Sequence, residues 1–119
     1  MGDFKRIKRA VAEVARSRGA LRAVVFGSYA RGTETRHSDL DVLVVEDTSR
    51  RFIDRIGRYF DPLTERLEMA IEVLVYTPEE LEQIKHRPFI QTALEEGIVV
   101  YESGKIPERG ETLAATGEE

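Results

Sequence analysis

The chain has 119 residues, 41% of them apolar and 34% charged, with a net charge of −4 at neutral pH. This is enough for one domain with a buried core and too little for two, and the acidic balance argues against direct nucleic-acid binding, which shows as a basic excess. No cysteine is present, so disulfides, thiolate metal sites and thiol nucleophiles are excluded together.

The opening MGDFKRIKRAVAEVARSRGA has no apolar stretch of signal-peptide length, and no run approaches a membrane span of roughly 18 apolar residues. A cytoplasmic protein without membrane contact is expected. Phe4, Ile7, Val11, Val14 and Ala15 recur at helical spacing and predict a helix from Asp3 to about Ser17, capped by Asp3 and stopped by Gly19. LRAVVF (21–26) and LDVLVV (40–45) read as strands, rich in the branched apolar residues that suit a buried sheet. A helix from about Ser49 to Phe60 follows, with Phe52, Ile53, Ile56, Tyr59 and Phe60 on one side and Pro62 ending it. LEMAIEVLVY (67–76) makes the third strand.

Thr77-Pro78-Glu79-Glu80 combines a threonine cap, a proline at the first helical position and a glutamate placed to close a capping box, so a helix runs from 78 to about 86. Pro88 breaks it and opens a second short helix, PFIQTALEEG, ended by Gly97. IVVYE (98–102) is a last strand. Residues 103–119, SGKIPERGETLAATGEE, lack apolar periodicity and are expected to form a flexible tail after a single domain of residues 1–102. This order of elements describes an α/β (α+β) domain.

Two places carry chemistry. After the strand ending in Phe26, Gly27 permits a sharp turn and leaves no side chain in the way of a ligand. Ser28, Tyr29, Ala30 and Arg31 can then form one helical turn, whose leading N–H groups, with the Ser28 hydroxyl and the Arg31 guanidinium, suit a phosphate. A Gly-Ser pair after a strand is also an ordinary turn. Asp39 and Asp41, two apart at the start of the next strand, share a face. Asp39 could simply bond loop amides. Asp41 lies inside an apolar run, where an unpaired carboxylate is costly, so it needs either an arginine such as Arg22, Arg36 or Arg58, or a metal ion. Hard divalent cations take such oxygens, together with those of a substrate phosphate. Glu72 interrupts the third strand as Asp41 interrupts the second, and is either a third ligand or an edge carboxylate facing water; Glu68 is the alternative in the same run. His37, beside the acidic pair, is either a base or phosphate contact or, more commonly for a loop histidine, solvated; His86 at a helix end complements the helix dipole, and the basic stretches RSRGALR and SRRFIDRIGR read as solvated surface.

Gly27-Ser28, ten intervening residues, Asp39-Leu40-Asp41, and a carboxylate at position 72 in a later strand: this resembles the G-S-x10-D-x-D signature of the DNA polymerase beta-like nucleotidyltransferase superfamily. The fuller strings GSYARG, SDLDVLVV and EVLVYTPEEL are similar to the minimal nucleotidyltransferases, often encoded beside a helical HEPN partner, over nearly all of residues 3–102. The resemblance implies a nucleotidyltransferase fold, a small mixed β-sheet flanked by helices. It implies that Gly27 and Ser28 grip a nucleotide's terminal phosphates, that Asp39 and Asp41 bind two Mg2+ ions, and that Glu72 takes the place of the third acidic ligand. The implied reaction moves a nucleoside monophosphate, AMP from ATP, to a hydroxyl with release of pyrophosphate, and Glu72 is also a candidate base for that hydroxyl. Family members usually carry Asp at the third position, and the extra methylene of Glu72 bears on a metal that tolerates distortion poorly. Several minimal nucleotidyltransferases are antitoxins that adenylylate a tyrosine on a HEPN toxin, a ribonuclease. The resemblance therefore implies an antitoxin that modifies a HEPN partner within a homo- or hetero-oligomer. Its rivals are a binding antitoxin acting by contact alone and a small-molecule nucleotidyltransferase.

Overall fold

The computed structural model describes residues 2–104. Its elements are α1 (Gly2–Arg18), β1 (Arg22–Phe26), α2 (Ser28–Arg31), β2 (Leu40–Val45), α3 (Phe52–Leu67), β3 (Ile71–Tyr76), α4 (Pro78–Ile84), α5 (Pro88–Glu96) and β4 (Ile98–Glu102). Among the described residues, four strands form one sheet in the order β3-β2-β1-β4. β1 runs antiparallel to both β2 and β4, whereas β2 and β3 are parallel. The sheet is therefore mixed, as the resemblance implies. The expected tail beyond Gly104 lies outside the described residues. No helix among them is long and apolar enough to cross a membrane.

Both faces of the sheet are covered, which is why β2 reads as an almost unbroken apolar run rather than an alternating one. On the first face Ala23, Val25, Val42, Val44, Val73 and Val75 pack with Ile7, Val11 and Val14 of α1 and Tyr59, Leu63 and Leu67 of α3. On the second, Val24, Phe26, Leu43 and Val45 meet Ala93 of α5, with Leu74, Tyr76 and Leu81 against them. Asp41 and Glu72 belong to this second face, since Asp41 pairs with Phe26 and, across the parallel ladder, with Glu72.

The sequence-based expectations for α3 and β3 need correction. α3 begins at Phe52 rather than Ser49, continues through Pro62 and ends at Leu67, where Glu68 turns left-handed at φ 54°. β3 is correspondingly shorter, and Glu68 is a helix cap with no place in the strand. Proline forfeits the bond to the carbonyl four residues back. Here that carbonyl, of Arg58, accepts from Arg18 Nε at 3.0 Å, while Arg58 donates to the Arg18 carbonyl at 3.0 Å. The buried stripe Tyr59, Leu63, Leu67 runs past the proline and holds the helix to the sheet. Asp3 lies within the first turn of α1 instead of capping it, where its charge suits the helix dipole.

At the start of α4 the capping box forms as expected. Glu80 N–H donates to Thr77 Oγ1 at 3.1 Å and Thr77 N–H to Glu80 Oε1 at 3.0 Å. Glu80 also takes two bonds from Arg55, at 2.7 and 3.0 Å, and Arg55 donates to the Arg50 carbonyl at 2.8 Å. Arg55 is 5% exposed. Its guanidinium holds the Glu80 carboxyl below the usual range.

Glu80→Ala removes half of the capping box and strands the Arg55 guanidinium. Exposure of the carboxylate screens the pair, so the expected loss is about 2 kcal/mol rather than the 3–5 typical of a fully buried one. Thr77→Ala should cost about 1 kcal/mol. Urea unfolding midpoints at constant slope check both values.

Candidate active site

The turn after β1 is built as its residues require. Gly27 has φ 76° and ψ −150°, a conformation open to glycine, and the amides of Ala30 and Arg31 both close onto its carbonyl at 3.1 Å. Helix geometry leaves the amides of Ser28 and Tyr29 outside the turn's own bonding. Gly32, at φ 76°, ends the turn with its amide on the Ser28 carbonyl. Gly27 has a second reason to lack a side chain: a Cβ there would stand 2.3 Å from Asp41 Oδ2. The turn and the carboxylate thus occupy one space.

The loop from 33 to 38 is held by Ser38, which accepts from the Thr35 amide at 2.9 Å and donates its own amide to the Thr35 carbonyl at 3.0 Å. It delivers Asp39, exposed, to the head of β2, followed by half-buried Asp41. The parallel register sets Glu72 beside Asp41, on strands about 4.8 Å apart. Burial, then the charge of Glu72 and its hydrogen-bonding contact, then the charge of Asp39, push the Asp41 carboxyl up to about 6. Arg31 pulls the other way more weakly. Arg22 is paired with Glu102 and Arg58 with Glu46, so neither neutralises Asp41.

The fold brings Asp41 and Glu72 together, while Asp39 acts on Asp41 through space. Among the described residues no group of three or more His, Cys, Asp or Glu side chains is arranged to hold a metal ion. Glu72 is exposed and shares the face of Asp41, so both sequence readings of it, ligand and edge carboxylate, describe the same position. Arg31, read as a phosphate contact, donates to Glu96 at the end of α5 at 3.3 Å, with both side chains about half exposed. That partner carried no local signal, being 65 residues away. Sequence reasoning also missed Phe89, which stands edge-on to Phe26.

The Nucleotidyltransferase domain family matches residues 5–100. The chain belongs to that family. A Methanocaldococcus jannaschii protein, provisionally named a protein adenylyltransferase, is 33% identical over 103 residues, which cover 85% of this chain and 100% of the relative. The solved structure of a provisionally assigned minimal nucleotidyltransferase superposes with a TM-score of 0.61 at 28% identity, over 80% of this chain and 90% of the other. A chain from a toxin–antitoxin structure with AMP-PNP superposes at 0.62 with 18% identity, over 82% and 74%, a likeness of fold. This nucleotidyltransferase therefore sits among the minimal members of its family.

The chemistry of the donor set is that of a hard-cation ligand set, although among the described residues the side chains are not grouped to hold an ion. Asp39, Asp41 and Glu72 offer only oxygen ligands, which suit Mg2+, and the raised Asp41 carboxyl marks negative charge that Arg31 offsets only in part.

In chelator, a carboxyl whose folded value of about 6 exceeds its ordinary 3.8 binds more protons folded than unfolded. Its contribution is complete below the unfolded value and is lost as pH rises through the folded one. Asp41→Asn should therefore melt like wild type at acid pH and above it at neutral pH. Adding Mg2+ should raise the wild-type midpoint more than that of Asp41→Asn. Calorimetry across the pH series checks both outcomes.

Proposed function

We propose that the protein transfers AMP from ATP to a hydroxyl on a partner protein, and that the partner is a HEPN toxin which this modification neutralises. Residues 1–102 are the unit that carries the transfer. The observation behind this reading is the Asp41–Glu72 pair in register on one sheet face, with the Gly27–Ser28 turn lodged against Asp41. The name of the M. jannaschii relative supports a protein acceptor. The toxin–antitoxin fold neighbour supports both a toxin partner and an adenine nucleotide.

In this reading Gly27 and Ser28 hold the terminal phosphates by backbone amides and hydroxyl, and Arg31 adds charge beside them. The acceptor oxygen forms a bond to the α-phosphorus as the α–β anhydride bond breaks, and pyrophosphate leaves. The acceptor proton passes to Glu72, the exposed carboxylate of the pair. Asp39, Asp41 and Glu72 would hold two Mg2+ ions, which when bound neutralise charge on the phosphoryl group. Alignment of acceptor and phosphorus supplies much of the rest.

The test is incubation of the co-purified partner with ATP labelled at the α-phosphate and Mg2+. Wild type should label the partner and release pyrophosphate, and Asp41→Asn should lose transfer by roughly a hundredfold or more. Absence of label together with full neutralisation by Asp41→Asn would establish a contact-only antitoxin instead. Label on small molecules but never on the partner would place the acceptor outside protein chemistry.

A further inference from the structure

α5 crosses the second face of the sheet and sets Phe89 beside the carboxylate end. The ring is 61% exposed. It is nevertheless fixed, standing edge-on to Phe26 with centroids 5.8 Å apart and planes at 82°, a favoured aromatic arrangement. Phe26 is the direct partner of Asp41 in the β1–β2 register and immediately precedes Gly27. Opposed residues of an antiparallel pair share a face with Cα atoms about 4.5–5.5 Å apart. Along this face the order is therefore Glu72, Asp41, Phe26, Phe89. Other exposed phenylalanines among the described residues are elsewhere: Phe52 lies against Tyr76 at the far end of β3, and Phe60 is on α3.

We propose that Phe89 is the platform on which the base of the bound nucleoside triphosphate stacks, with Phe26 setting the orientation of its ring. This rests on the nucleotidyl-transfer reading and adds where the nucleoside lies. A nucleotide with its α-phosphate by Asp41 places its base one ribose away, and a single side chain separates Phe89 from Asp41. The acceptor enters from the other side, where Glu72 takes its proton, which leaves the Phe26 side to the nucleotide. Glu96, two helical turns after Phe89 and so on the same side of α5, holds Arg31 of the phosphate turn at 3.3 Å. One helix thus sets the spacing between phosphate contact and base contact. A phenylalanine face has no polar group with which to read base edges, so it strengthens binding without choosing among purines.

The experiment is equilibrium titration of the protein alone, in Mg2+, with ATP, GTP and inorganic tripolyphosphate. Phe89→Ala should weaken ATP and GTP alike by roughly five- to a hundredfold, the range of aromatic–base stacking, and leave tripolyphosphate unchanged. Phe89→Trp, which keeps a stacking face, should restore nucleotide affinity, and a melting curve for each variant reports on its fold. Undiminished ATP affinity in Phe89→Ala overturns the proposal, as does an equal loss of tripolyphosphate. Undiminished ATP affinity with impaired labelling of the partner would assign Phe89 to the acceptor, which also overturns it. Wild-type protein that binds neither ATP nor tripolyphosphate would refute the nucleotidyl-transfer reading, and this inference with it.

Discussion

The parallel pairing of β2 with β3 is the constraint from which the arrangement of the site follows. It sets Asp41 in register with Glu72 and turns both toward one face. Two carboxylates in contact oppose folding. The cost is met by Val42, Leu43, Val44 and Val45 further along β2, each almost wholly buried and so contributing apolar burial on the order of 1.5–3 kcal/mol for a side chain of this kind. Charge and core are thus divided along the length of one strand. Its head carries the half-buried carboxyl of Asp41, and the remainder is core.

The two faces divide the work in the same way. The first is closed by α1 and α3. The second carries α4 toward the far end of β2, where Leu81 packs against the apolar cluster, while α5 brings Phe89 to Phe26 at the near end, where the carboxylates stand. Most arginines near the sheet are occupied in architecture. Arg55 bonds Glu80 and ties α3 to the cap of α4, and Arg58 bonds Glu46, which also accepts from Tyr59 at 2.7 Å. Arg31 acts on Asp41, and its solvent-exposed contact with Glu96 engages one guanidinium nitrogen and leaves other donors for a phosphate.

Local chemistry was legible wherever the residues that decide a feature are close in the chain. The bounds of β2, the Thr77–Glu80 capping box and the turn from Gly27 to Arg31 all appear as read, because each depends on neighbours within four residues. The misreadings at the end of α3 and the start of β3 share one cause. Pro62 has a strong local preference to end a helix, yet Leu63 and Leu67 continue a buried stripe with Tyr59, and Arg18 satisfies the carbonyl the proline leaves bare. Extension of α3 then took Leu67 and Glu68 from the strand expected there.

The sequence by itself determined the inventory: a glycine-serine turn after one strand, two aspartates opening the next, an acidic residue in a third, and a family signature spanning them. Those features are local because backbone turns, strand alternation and helix caps are settled by residues a few positions apart. Only the tertiary structure decided that β3 lies parallel to β2 in the register that joins Asp41 to Glu72, that Gly27 must be bare because Asp41 fills its space, and that α5 brings Glu96 to Arg31 and Phe89 to Phe26. Each of these contacts joins residues well beyond the reach of a single turn or strand, and side-chain period records which face a residue takes without recording what stands opposite it.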